Sequence, residues 1–383
     1  MTLFYSEYEK QWKATLDSLR TLPEPKVKTV NRGIVLPLKK RSDCDPDLNV
    51  YEGGVCGPDF TFQAGLERNS RAPLYNLSCK RSYTAVGLDV RQETVVFGGV
   101  IFGHFGHMLL DGMTRLWHYA RHHDDGLKRV FVLQPGASST HAEKFFKLAG
   151  MRYEILKGPT QFAEIIVPDE AYHTGEGGNK AWLEWFDYFK NIVPIYEGIP
   201  KKIYLTRTQW PAGDGVGEEY YEEFFKEQGY TIIAPEKLPL KEQIRHIFGA
   251  THIATTMGTM GHMLAFARPD ADVTILLRSP SSMMPAQLII NKLRGYNWHM
   301  IDGTCNPMPT GQSNGCFFYK PTEQFFLWVH HTYGKIYVPG IRPSLEEYLR
   351  LWAKRFSDPA NYKYIKNRTM KDAVESLNRY FEG

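Results

Sequence analysis

The sequence predicts an α/β protein made of two Rossmann-like domains facing across a cleft. Three observations carry this reading. From the "VVFGG" run (95–99) to "WHMID" (298–302), short β-branched runs alternate with amphipathic stretches, the pattern of βαβ units around a mostly parallel sheet. A glycine-rich break, "YHTGEGGNKAW" (172–182), divides the alternation into two blocks. In the second block Gly229 and Gly249 stand where helix C-caps belong. With 383 residues, 43% hydrophobic and 14% aromatic, the chain has enough apolar material for both cores.

The elements follow in chain order. A first helix opens the chain, and polar loops surround "RSDCDPDLNVYEGG" (41–54). The first block holds "VVFGG", a helix over 98–119, "RVFVLQ" (129–134), a helix in "THAEKFFKLAG", then "YEILKG" and "EIIVPD". "AWLEWFDYFKNIV" (181–193) reads as a helix crossing between the halves. The second block runs "KIYLTR" (202–207), helix "EEYYEEFFKEQG", "YTIIAP" (230–235), helix "LKEQIRHIFGA", "HIATT" (252–256), a short helix near 261–267, "DVTILL" (272–277) and "WHMID". Two helices close the chain, in "SLEEYLRLWAKRF" and "TMKDAVESLNRYF". The expected domains are 1–195, with 344–383 packing back onto it, and 196–343.

Bulk properties narrow the function. A net charge of +4 suits an anionic small molecule or a membrane surface and is too weak to argue for nucleic acid. The five cysteines include no CxxC pair, so neither a zinc site nor a disulfide framework is expected, in keeping with a reducing cytoplasm. The N-terminus reads as no signal peptide, and no run approaches the roughly 20 apolar residues of a membrane span. The sequons at Asn76 and Asn367 then read as chance. Peripheral attachment at the inner face of the membrane fits the mild basicity.

The segment "GGVIFGHFGHMLLDGMTRLWHY" (98–119) carries the first candidate site. On one continuous helix His104, His107, Asp111, Arg115 and His118 would share an arc of roughly 80°. Met108, Leu109, Leu110, Met113, Leu116 and Trp117 flank that seam with apolar surface. His107, Asp111 and Arg115 lie four apart, so neighbours can touch. Asp111 can orient an imidazole, pair with Arg115 or take a proton; a structural network sealing a domain contact is the bland alternative. Gly98, Gly99, Gly103 and Gly106 would let the backbone approach a ligand. The dinucleotide fingerprint is absent, because the glycine spacing is wrong.

The second block carries the other candidate. Arg207 ends "KIYLTR" at the carboxyl edge of the sheet, where a guanidinium can grip a phosphate. "TTMGTMGHMLAF" (255–266) follows a later strand. There Gly258, Thr259, Met260, Gly261 and His262 form a tight turn into a helix, with Thr259 as the cap. Glu242, early in the preceding helix, reads as a structural residue with a lesser chance of reaching a ribose. An acid/base seam in one domain and a diphosphate cradle in the other suit group transfer from an activated nucleotide. No Walker A motif is present.

These residues resemble a known family. "HFGHMLLDGMTRLW" resembles the N-x-x-H-x-x-x-D-x-x-x-R-L motif of glycosyltransferase family 61, whose members include bacterial capsular-polysaccharide enzymes. The segment from "IYLTRTQ" to "ADVTIL" resembles the rest of that signature, and the likeness spans roughly 93 to 280. It implies a GT-B fold and a metal-independent, inverting transfer from a nucleotide-sugar, UDP-linked, to a glycan or lipid-linked glycan. No cofactor is implied. His107 and Asp111 carry over as the catalytic pair, and Arg207 with the Gly258–His262 turn as the donor site. His104 stands where Asn is usual, and Met257 where His is usual.

The expected mechanism is a single in-line displacement. Asp111 is the first choice for the base and His107 the second; His104 and Arg115 serve the acceptor or support the pair. Carboxylates in "DCDPD" (43–47), at Asp124–Asp125 and at Asp270 and Asp272 sit in loop-like contexts, so no metal site is expected. Two other readings stand beside this one. One is a polysaccharide-modifying transferase with a non-sugar donor, of the ketal pyruvyltransferase type; the other is a non-catalytic sugar-nucleotide-binding protein.

Overall fold

The computed structural model describes residues 3–40, 51–65, 87–209, 215–310, 315–337, 340 and 342–356. The chain is α/β and divides into two compact units. One is built from Ser18–Pro194 with Leu288–Arg294; the other takes the residues up to Asp17, Ile195–Gln287 and the chain from Gly295 onward.

The unit of Ser18–Pro194 holds an eight-stranded sheet. Its parallel half is the alternation read from the sequence: Thr160–Pro168, Asp89–Ile101, Lys128–Leu133 and Tyr153–Ile155, side by side. The other half corrects the expectation of a mostly parallel sheet. Val27–Asn31 and Ile34–Lys40 both pair antiparallel to Thr160–Pro168, and Tyr51–Cys56 and Phe62–Ala64 continue outward antiparallel. These strands are short and interrupted by Pro37, Gly53 and Gly54, so their local pattern reads as loop; distant pairing makes them strands. Phe97, Val130, Phe131 and Ile165 form core under the sheet. The "AWLEWFDY" helix, Ala181–Tyr188, does not cross between halves. It packs on the Trp117–Arg121 helix of the same unit, with the Tyr119 and Trp185 rings edge to face at 5.7 Å.

The other unit holds a six-stranded sheet, parallel throughout. Across it run Phe4–Tyr5, Asn297–Asp302, Asp272–Leu277, His252–Thr256, Lys202–Leu205 and Thr231–Ile233. Counting from Lys202–Leu205, the strand order is 2-1-3-4-5, with the N-terminal strand added at the far edge. The order therefore reverses between Lys202–Leu205 and His252–Thr256. In open parallel sheets such a reversal leaves a crevice at the carboxyl ends of the two strands, where ligands bind. An aromatic core backs the sheet: Tyr204 stacks on Phe225 at 4.9 Å, and Tyr220, Phe224, Phe325 and Trp328 join them.

Two segments sit with a different partner than expected. The N-terminal residues belong with the six-stranded sheet, because Phe4–Tyr5 pairs with Met300 and Ile301 and Trp12 donates to the Pro280 carbonyl at 3.0 Å. The Leu345–Phe356 helix packs in that same unit: Tyr348 is buried with Val216, Cys316 and Phe318. The apolar stripe announced a helix, and only the tertiary structure could name the surface it covers. The closing helix expected in 369–381 lies outside the described residues, as do 43–47, Asn76 and Asn367.

The cysteine reading also needs correction. Cys56 is buried and disulfide-bonded, its partner lying outside the described residues, while Cys305 and Cys316 are free. Sequence spacing does not reveal a bond between cysteines brought together only by folding, so the argument from unpaired cysteines to a reducing compartment falls. No helix of the described residues is long and apolar enough to cross a membrane.

Two measurements follow. One disulfide takes two of the five cysteines, so alkylation of the denatured protein without reductant should label three, and reduction should raise this to five; five labels at the outset would refute the bond. The second concerns Asp302, which accepts from the Glu7 N–H at 2.9 Å and so pins the N-terminal strand. Burial pushes its carboxyl up to about 7. A carboxyl raised on folding contributes stability that is present at low pH and lost as pH climbs through the folded value. Asp302→Asn should therefore gain in Tm relative to wild type between pH 5 and pH 8. A constant Tm difference over that window would remove Asp302 as the cause.

Candidate active site

The Asp89–Ile101 strand leads into a helix at Phe105–Leu110, not into one helix running to residue 118. Residues 111–116 form a turn, and a second helix occupies Trp117–Arg121. Gly112 explains the break. A Cβ there would come within 2.8 Å of the Met108 carbonyl and 3.1 Å of the Val100 carbonyl, so the turn packs back on the strand more closely than a larger residue permits. The glycines before the helix also serve the protein's own packing: Gly98 lies under the Phe131 ring, which a Cβ would meet at 2.3 Å.

The break divides the predicted seam. His107 and Asp111 stay together, with His107 Nδ1 and Asp111 Oδ2 3.0 Å apart. The Thr174 hydroxyl donates to the other carboxyl oxygen, Oδ1, at 2.5 Å. Asp111 is 2% exposed, whereas the His107 side chain is 41% exposed. The His104 ring lies 5.1 Å from that of His107, centroid to centroid. Arg115 leaves the seam. Its guanidinium is buried against Glu170 at 3.1 Å and donates to the carbonyls of Pro168 and Gly65, a supporting role for the loop that carries Thr174. His118 leaves as well: it neighbours His122, with ring centroids 4.6 Å apart, and burial holds its imidazole down at about 4.

In the other unit, Arg207 and the Gly258 turn both lie where the strand order reverses. Arg207 is two residues past Lys202–Leu205, and Gly258 two past His252–Thr256; Leu205 and Thr255 are paired in register. Gly258 has φ +126°, which only glycine adopts readily. The expected helix after the turn is a six-residue 3-10 segment, Gly261–Phe266, without a side-chain cap, so neither a capping Thr259 nor a helix dipole is available there. His262 is within it, 5% exposed, its N–H directed to the Gly258 carbonyl at 3.3 Å. Met260 lines an apolar recess with Leu205, Ile233, Pro235, Ile247 and Met263. Glu242 is paired with Arg245 in the first turn of Leu240–Gly249, which accounts for its carboxylate.

Sequence reasoning missed the groups that hold this edge in place. Glu218 and Glu222, one turn apart around the Glu219–Glu227 helix, reach the loop that carries Arg207. Glu218 accepts from the Arg207 N–H at 3.1 Å and the Tyr204 hydroxyl at 3.0 Å. Glu222 accepts from the hydroxyls of Thr206 and Thr208 at 2.5 and 2.6 Å. Burial pushes the Glu218 carboxyl up to about 7, against the lowering effect of these bonds. In the sequence both glutamates fall in the helix "EEYYEEFFKEQG" without a role of their own. Thr174 sat inside a glycine-rich break with no local signal.

Carboxylates weighed earlier as metal ligands are engaged elsewhere: Asp125 with Arg129, and Asp270 with Arg268, both at 2.5 Å. Among the described residues no group of three or more His, Cys, Asp and Glu side chains is arranged to hold a metal ion.

A search of curated proteins finds no match. The family model described as "Glycosyltransferase 61" matches residues 105–274. The match begins at the helix that presents His107 and takes in Asp111, Arg115, Thr174, Arg207 and the Gly258 turn. Over that segment, somewhat under half of the chain, the protein matches glycosyltransferase family 61, which supports a glycosyltransferase.

Proposed function

We propose that the protein moves a sugar from a nucleotide-sugar to a hydroxyl of a glycan acceptor by one in-line displacement, with inversion and without a metal. The observation that carries this is the His107–Asp111–Thr174 arrangement inside the family segment. A buried carboxyl with both oxygens engaged is suited to orienting a partner; a half-exposed imidazole is suited to meeting an acceptor. This exchanges the order of the two candidates for the base. His107 takes the proton from the acceptor hydroxyl, and Asp111 fixes the ring and offsets the charge that develops on it. The acceptor oxygen attacks the anomeric carbon as the bond to phosphate breaks, and the electron pair leaves with the nucleoside diphosphate.

The donor diphosphate belongs at the strand reversal, with Arg207 and the Gly258 turn offsetting the charge on the leaving group. UDP is the proposed nucleotide. The GT-B arrangement is part of the proposal, since the two sets of residues must meet on one donor and one acceptor. The Cys56 disulfide supports maturation in an oxidising compartment in place of the cytoplasm.

Turnover of nucleotide-sugar in EDTA-containing buffer should be retained by wild type. His107→Ala should lower kcat by about 10²-fold or more, Asp111→Asn by a similar factor, and Thr174→Val by about tenfold. All three should melt close to wild type. A fully active His107→Ala beside an inactive Asp111→Asn would transfer the base role to Asp111. For the donor, a thermal-shift screen should find a nucleoside diphosphate that raises Tm, UDP foremost, and Arg207→Ala should weaken its binding by about tenfold. No shift with UDP, GDP, CDP or ADP would sink the donor assignment.

A further inference from the structure

Arg278 follows the Asp272–Leu277 strand, four residues beyond the end of the family match at 274. It is 6% exposed. Its guanidinium lies against the Gly258 turn so closely that a Cβ on Gly258 would sit 2.0 Å from Nη2. The other side of the guanidinium covers the Phe317 ring, with Cζ 4.6 Å from the centroid. Nε is buried without a hydrogen-bond partner among the described residues. The strand end is held as well: the Arg278 carbonyl accepts from Thr304 Oγ1 at 2.9 Å and Asn306 Nδ2 at 2.8 Å.

A buried guanidinium is costly unless a counter-charge offsets it. The carboxyl that faces Arg278 is Glu218, which burial keeps only partly ionised near neutral pH. Arg207 adds positive charge to the same neighbourhood, and the Tyr319 hydroxyl beside Arg278 stays neutral because burial raises it far above the working range. Glu218, half ionised, offsets the Arg278 charge only in part, and that charge lies directly against the Gly258 turn. An anion seated on the turn would complete the balance.

We propose that Arg278 is a positioning residue for the donor diphosphate, holding the Gly258 turn from beneath and drawing a phosphoryl oxygen onto it in concert with Arg207. The inference rests on the donor site proposed above and adds to it a residue outside the family segment. A purely structural Arg278 would be replaceable by an apolar side chain of similar length without loss of anion affinity.

The test uses inorganic pyrophosphate as the probe, titrated calorimetrically into the full chain. Arg278→Met should fold, since it replaces a desolvated charge by an apolar chain, and should bind pyrophosphate at least about tenfold more weakly. Arg278→Lys keeps the charge and loses the planar fork, so its loss should be smaller, about threefold. Wild-type binding together with wild-type affinity in a folded Arg278→Met overturns the inference and leaves the donor site standing. If the Met variant does not fold, unaltered affinity in Arg278→Lys overturns it instead. A wild-type protein that binds neither pyrophosphate nor any nucleoside diphosphate sinks the donor site and this inference with it.

Discussion

The Asp111 carboxyl is the constraint around which the unit of Ser18–Pro194 is arranged. It is almost wholly buried, and a buried carboxyl without partners would cost several kcal/mol. Its two oxygens are satisfied from two directions: by His107 one helical turn earlier, and by Thr174 from a loop more than sixty residues later. That loop is tethered by Arg115, which joins Glu170 to the carbonyls of Pro168 and Gly65. The helix break at Gly112 has the same consequence. It turns Arg115 and His118 away from the seam, so one imidazole and one carboxyl remain together.

The unit with the six-stranded parallel sheet meets a comparable demand by a different route. A strand-order reversal creates a crevice, but a crevice holds a ligand only if its rim is rigid. Glu218 and Glu222 supply that rigidity by taking up the loop hydroxyls and the Arg207 N–H. The cost is a buried acid whose ionisation is suppressed. Arg278 then places a positive charge under the Gly258 turn, and among the described residues Glu218 offsets it only in part.

Much of this was legible in the sequence. "KIYL", "HIATT" and "DVTILL" are β-branched runs buried on both faces, and each became a parallel strand within a residue or two of its predicted ends. The i, i+4 spacing of His107 and Asp111 predicted their contact because one helical turn suffices to make it. The prediction failed where it extended that helix through Gly112 to residue 118. It failed again for Val27–Asn31 and Ile34–Lys40, which pair with the distant Thr160–Pro168, and for Tyr51–Cys56 and Phe62–Ala64, which add to them in turn. Thr174, Glu218 and Arg278 carry no signal of their own, since a threonine in a glycine-rich loop, a glutamate before a helix and an arginine after a strand are ordinary surface residues.

By itself, then, the order of amino acids determined the α/β class, the order along the chain of the strands from Lys202 to Asp302, and the placement of Arg207 and the Gly258 turn just past two strand ends. Those features depend on periodicity and on neighbours within a few residues. The tertiary structure alone decided which strands lie side by side, that His107 is the open member of its pair, and which distant groups hold each site in place. The reason is physical: burial and hydrogen-bond satisfaction are properties of groups brought together across long stretches of chain, and local pattern does not encode them.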